Sequence, residues 1–262
     1  MVDSFTLSFV AVDILSQVLR VDCRLFPFQI PAVGEFAEDR ARLLAAIRSD
    51  LERRGLAGAA GPRPEVIDAL RLMSDYGVAV AVMGKAGSRD LYARASSDGD
   101  RGLLVVQERA GLSFRFVRPD SLARTVAGLL PRAKAGPGQS VTITAPAAQP
   151  SPGEDRYGES IWVEQVRPTR SPSESQLRAA ADMLARPRLG SGYLMVSGRD
   201  RTGREIMAPQ LTWIDTDLGR YLARSGPADP HGPASSTFFP ADDARLAHQL
   251  AELITSVAPR GR

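Results

Sequence analysis

The side chains best equipped for catalysis or metal binding are few: His231, His248, Cys23 and the run Asp215-x-Asp217-x-Gly219. His231 lies in Asp229-Pro-His-Gly-Pro233, a loop composition, and His248 falls off the apolar stripe of the last helix. Two histidines 17 residues apart and one distant cysteine make no metal donor set. Cys23 has no cysteine to pair with and no arguable base, so it reads as a small, partly buried residue of a reducing compartment. A calcium loop would need glycine where Arg220 stands and glutamate where Gly226 stands, so Asp215 and Asp217 read as an Asp-capped hairpin turn. Gly190-Ser191-Gly192 lacks the spacing of a nucleophile elbow, and Gly84-Lys85 lacks the rest of a phosphate loop. The glycines at 190, 192 and 198 precede a strand rather than a helix, so they form no dinucleotide fingerprint. Asp98, Asp100, Glu154 and Asp155 sit in loops. No general acid is assembled with a general base. The expectation is a protein without catalytic residues, cofactor or metal. The rival class is a hydrolase or transferase with an unrecognised site using Asp215, Asp217 or His231.

Composition narrows the classes further. The 262 residues are 44% hydrophobic and 24% charged, which excludes a wholly disordered or fibrous chain. No apolar run approaches the roughly 20 residues of a membrane span, and Asp3 stands where a signal peptide would be basic. These features point to the cytoplasm. A net charge of +3 comes from 33 bases against 30 interspersed acids, only Lys85 and Lys134 being lysines. A nucleic-acid binder would concentrate its cations on one face, so that third class is disfavoured.

The elements that must position any site follow from periodicity. A strand at Phe5–Phe9 and a helix over Ala11–Leu19 open the chain, then two prolines make 26–31 extended. Leu43, Leu44, Ile47 and Leu51 give a helix over about Glu35–Arg54 its apolar stripe. A helix at Glu65–Met73 leads into four strand candidates, 78–83, Arg89–Ala95, Leu103–Gln107 and Leu112–Phe116, joined by short Gly-containing hairpin turns. Asp120 or Ser121 caps a helix burying Leu122, Val126, Leu129 and Leu130. Seven of the nineteen prolines fall between 131 and 172, so this stretch reads as a connector with one strand, Val141–Thr144, and a docking segment at Ile161–Val163. A helix at Ser173–Ala185 precedes strands at Tyr193–Ser197, about Arg204–Ile214, Gly219–Ala223 and Ser236–Phe239, with a loop at Ser225–Ala234. Pro240 opens the last helix, whose positive end holds Asp242 and Asp243.

Helix, four strands, helix thus occurs twice. Leu246, Leu250, Leu253 and Ile254 repeat the spacing of Leu122, Val126, Leu129 and Leu130, and Gly219 corresponds to Gly102. The alternative is two unrelated hairpin sets ended by generic amphipathic helices. The reading adopted is an α+β protein, quasi-twofold pseudo-symmetric, with a central antiparallel sheet flanked by helices. Its parts are an N-terminal half 1–131, a Pro-rich connector 132–172 and a C-terminal half 173–262 sharing one sheet.

Phe36-Ala-Glu38-Asp39-Arg40, leading to Glu52-Arg53-Arg54-Gly55-Leu56, resembles the first long helix of the EspG proteins. Val117-Arg118-Pro119 and Leu129-Leu130-Pro131 are similar to their mid-chain signature. In the second half Gly192-Tyr-Leu-Met-Val196, Arg201-Thr-Gly203-Arg204, Trp213 through Leu222 and Pro240-Ala241-Asp242 occur in the family's order. The resemblance covers about 5–257. It implies a cytosolic chaperone of ESX (type VII) secretion with a C-terminal helical bundle and no cofactor. Such a protein binds the tip of PE–PPE-like heterodimers, keeps them soluble for export, and is a monomer or weak dimer.

A chaperone covering an apolar tip needs an exposed apolar patch with a polar rim. The hairpin Met83, Lys85, Ala86, Gly87, Ser88 and Arg89 offers one, and the resemblance implies that this hairpin and the C-terminal bundle touch the client. On the last helix Gln249, Glu252 and Thr255 lie off the apolar stripe. The ordinary roles, a turn and a solvated helix face, compete with this reading.

Overall fold

The computed structural model describes residues 4–31, 37–144, 178, 185–226 and 235–258. β1 (Ser4–Ser8) buries Phe5 and Leu7 on alternate positions, and the Ser8 hydroxyl caps α1 (Phe9–Leu19) by accepting from the Ala11 N–H at 3.2 Å. In α2 (Ala37–Arg53) Ile47 and Leu51 are buried while Leu44 is 41% exposed. Residues 43, 47 and 51 stack four apart on one line, and 44 lies a further 100° round, so the stripe is narrower than expected. A two-stranded ribbon, β2 (Ala57–Gly58) and β3 (Gly61–Pro62), precedes α3 (Pro64–Ser74).

Four consecutive antiparallel strands follow: β4 (Val78–Ala86), β5 (Arg89–Ser97), β6 (Gly102–Glu108) and β7 (Gly111–Val117). A 3₁₀ turn (Pro119–Ser121) enters α4 (Leu122–Ala127). That helix ends before Leu129 and Leu130. Ser121 occupies the cap position, but its hydroxyl donates back to the Arg118 carbonyl at 2.7 Å instead of capping. β8 (Val141–Thr144) lies where the connector strand was expected. β9 (Arg188–Arg199) is the longest strand described, followed by β10 (Glu205–Met207), β11 (Leu211–Thr216), β12 (Gly219–Ser225), β13 (Ser235–Pro240) and α5 (Asp243–Val257).

The expected single strand over 204–214 is therefore two. Pro209 breaks it, since proline lacks the N–H a central ladder requires. Both pieces pair with β9 in series, β10 at Ser197–Arg199 and β11 from Leu194 back to Arg188. Pro240 does not open the last helix. It pairs with Tyr221 at the end of β13, and Asp242 caps α5 by accepting from the Arg245 N–H at 2.8 Å. Of the helix expected at 173–185 only residues 178 and 185 are described, both helical, while the segment 161–163 and the loop carrying His231 lie outside the described residues.

One eleven-stranded antiparallel sheet has the order β1-β7-β6-β5-β4-β9-β11-β12-β13-β8, with β10 on β9. The order reads alike outward from the β4–β9 junction, which is the quasi-twofold architecture. The ladder registers make Val80 equivalent to Gly192, Ala95 to Trp213 and Leu104 to Leu222. Gly102 thus corresponds to Arg220, not to Gly219; a one-residue slip would turn every side chain to the other face. α4 and α5 cover one face over Val78, Val80, Val82, Leu194, Val196 and Trp213. α1, α2 and α3 cover the other over Leu103, Val105 and Phe114, where Phe5 stacks on Phe114 at 5.1 Å.

Trp213 marks the junction. It is fully buried, with its ring laid over two paired glycines. A Cβ on Gly84 would fall 2.7 Å from the indole Cη2 and 2.5 Å from the Gly192 Cα; one on Gly192 would fall 2.2 Å from that Cη2. Only glycine admits the indole here.

Candidate functional site

The hairpin between β4 and β5 turns on Gly87-Ser88, closed by the pair Ala86–Arg89, with Gly87 at φ 66 as a tight two-residue turn demands. Lys85, Gly87, Ser88 and Arg89 are exposed; Met83 and Ala86 are half-buried. Val82 and Gly84 face the core under α5, so alternation places Met83 and Lys85 on the opposite face. Lys85 pairs with Asp90 at 3.8 Å, both groups well exposed.

Glu252 and Thr255 line a groove of about 900 Å³ between α5 and the ends of β12 and β13, with Pro209, Arg224 and Thr237. Gln249 Nε2 donates to Glu252 at 2.6 Å, and the Thr255 hydroxyl donates to the Ala251 carbonyl at 2.8 Å. The hairpin and this row are not brought together. β9 starts its pairing with the hairpin at Gly190 and reaches Gly198 eight residues later, roughly 26 Å away. Gly198 lies directly under the Val257 carbonyl, so Thr255 sits near the sheet end remote from the turn.

Two residues that the pattern reading missed stand beside the hairpin. Leu189 is 55% exposed and Leu218 is 38% exposed. The β9–β11 register jumps from Asp215–Gly190 to Thr216–Arg188, so Leu189 is the extra residue of a β-bulge. Leu218 occupies the β11–β12 turn, whose cap is the Thr216 hydroxyl: it accepts from the Leu218 N–H at 3.3 Å and donates to the Gly219 carbonyl at 2.9 Å. An exposed leucine in a strand sequence carries no sequence signal, because the bulge arises only from pairing.

The carboxylates that could have done chemistry are held elsewhere. Asp215 is not in a turn; it is buried on β11, with its oxygens 2.6 and 3.0 Å from the guanidinium of fully buried Arg220. Arg220 also donates to Asp243 at 2.8 Å and to the Pro131 carbonyl at 2.6 Å. Its backbone bonds Lys134 and Gly136, so the start of the connector is strapped across β12. Asp217 is on the surface, paired with Arg186, whose hydrogen bond holds its carboxyl below the usual range. The two aspartates therefore have separate cationic partners.

A second charged cluster bridges the halves. The guanidiniums of Arg94 and Arg199 lie 4.6 and 4.8 Å from the Tyr76 ring centroid, and the Tyr76 hydroxyl donates to Glu205 at 2.7 Å. That hydrogen bond holds the Glu205 carboxyl below its ordinary value, while burial draws the Arg94 guanidinium down. Cys23 is more deeply buried than expected, and burial pushes its thiol up to about 12, which leaves it inert near neutrality. Among the described residues no three His, Cys, Asp or Glu side chains gather as a metal set, and no helix is long and apolar enough to cross a membrane.

The architecture is shared with a solved structure, the type VII secretion system chaperone EspG5 of Mycobacterium tuberculosis in complex with the PE25–PPE41 dimer. The TM-score is 0.60 at 11% sequence identity, covering 99% of this chain and 98% of that one. No curated protein sequence matches the chain. The model of the EspG family matches residues 8–252, nearly the whole length, from the end of β1 into the helix that closes the second half. The chain belongs to the EspG family.

Proposed function

We propose that the protein is a cytoplasmic chaperone, acting as a monomer or weak dimer, that holds PE–PPE-like heterodimers soluble for type VII secretion. The observation that carries this reading is family membership over residues 8–252, joined to an exposed, adaptable hairpin at one end of the sheet. The related chaperone EspG5 has been solved in complex with such a dimer. The client tip docks on Met83, Lys85, Ala86, Gly87, Ser88 and Arg89. Gln249, Glu252 and Thr255 join the interface with a client that extends along the sheet, a span that a standard interface of ~800 Å² per partner can reach. Catalysis plays no part, and Asp215, the buried acid, serves as the counter-ion of Arg220.

Co-expression with candidate PE–PPE heterodimers, followed by co-purification, tests the reading. At least one pair should co-purify and become soluble only with the protein present. Replacing Lys85–Asp90 by Asn-Gly keeps the Gly84–Leu91 pair to close the turn. This variant should fold and bind at least tenfold more weakly, about 1.4 kcal/mol. Failure of every pair to co-purify refutes the function; full affinity in the shortened variant refutes the placement.

A further inference from the structure

The hairpin end of the sheet presents more than the hairpin. Leu189 has no ladder partner on either side, because β4 pairing ends at Gly190 and β11 skips over it. A bulge re-aims its extra side chain, and here it turns a large apolar group outward at 55% exposure. Gly190 seats the bulge against the turn: a Cβ there would lie 2.8 Å from the Lys85 carbonyl oxygen. Leu218 stands across the next turn, which Arg186 binds to the incoming end of β9 through Asp217. Among the described residues Lys85, Arg89, Arg186 and Arg188 lie around these two leucines against Asp90 and Asp217. Arg89 and Arg188 have no ionic partner among the described residues, so the rim carries an excess of positive charge.

We propose that Leu189 and Leu218 bracket the hairpin as apolar anchors for an acid-flanked apolar segment of the client, and that Arg89 and Arg188 receive the acids. This rests on the chaperone reading and adds the chemistry of the segment it takes. Apolar contact at the centre of a patch supplies most of the affinity, whereas rim charges set the rate of encounter. A client tip with basic flanks is repelled.

The probe is the PE–PPE heterodimer recovered with the wild-type protein, titrated by calorimetry and followed by stopped flow. Leu189→Ser with Leu218→Ser should lower affinity at least tenfold with an unchanged melting temperature, since both side chains are already exposed. Leu189→Met, which keeps volume and apolarity, should restore binding to within about threefold when Leu218 is intact. Arg89→Glu with Arg188→Glu should slow association at least fivefold and weaken its dependence on salt. If the wild type binds and the double serine variant binds equally well, the anchors are wrong and the chaperone reading stands. If Gln249→Ala with Glu252→Ala abolishes binding while the serine variant does not, the client sits at the other end of the sheet and the proposal falls. If no heterodimer binds the wild type, both fall together.

Discussion

Gly102 and Arg220 occupy equivalent positions in the two halves, and they hold their surroundings by opposite means. On Gly102 there is no side chain at all. A Cβ would come within 2.7 Å of the Val117 carbonyl oxygen and 3.2 Å of Leu122, so β7 and α4 close directly onto the backbone. At the other position a fully buried guanidinium joins β11, β12, α5 and the chain leaving α4. The strand order on both sides is the same. Repeated topology therefore comes from repeated apolar alternation, while the fastening at each corner answers to what passes there. At the second corner a connector segment runs across β12, and the Arg220 network fastens it there.

Three measurements would break or sharpen this contrast. The largest effect belongs to Arg220→Met, which strands Asp215 without its cation and should cost about 3–5 kcal/mol of unfolding free energy in denaturant. Adding Asp215→Asn and Asp243→Asn should recover most of it; no recovery would mean that the network is more than mutual neutralisation. Gly102→Ala comes next, at about 1–3 kcal/mol, because backbone and Leu122 must give way. A neutral result would show that this corner is loosely packed. The smallest effect is in the cluster around Tyr76. The Tyr76 hydrogen bond holds the folded-state Glu205 carboxyl below its ordinary value, so its contribution is present at neutral pH and lost as pH falls through the depressed value. Glu205→Gln should lower stability slightly at neutral pH and flatten part of its acid-induced loss, so that melts of variant and wild type across pH converge in acid. An unaltered pH profile would assign that acid limb to other carboxylates, such as Asp98.

Much of this architecture could be read from residue spacing. Leu112, Phe114 and Phe116 alternate with polar neighbours, and the strand is there; Leu246, Leu250 and Leu253 recur at helical spacing, and all are buried. Such elements are legible because one side must face a core. Two failures share another cause: strand pairing and burial decide them, which local spacing does not carry. Asp215 looks like a turn residue until Arg220, five residues on, returns beside it across the hairpin and is itself buried by Pro131 and α5. Leu189 looks like an ordinary strand residue until two neighbouring strands skip it. Pro209 did carry a local signal, and giving more weight to its missing donor would have split the strand. Of the candidate surface, the hairpin was legible as a turn with glycines at the right offset. Its apolar neighbours were not, since no spacing rule links positions 87, 189 and 218.

The indole at the seam has a consequence for observation. Trp213 lies buried across the paired glycines, and its Nε1–H has no hydrogen-bond partner among the described residues, although a buried tryptophan donor usually finds one. Gly84, beneath that ring, is one residue from Lys85, where the exposed hairpin begins. The molecule thus carries an emitter whose colour and yield respond to small shifts of one strand. If the client docks on the turn as proposed, it pulls on that strand, and in a Trp162→Phe background the light from Trp213 would register the load without any label being attached.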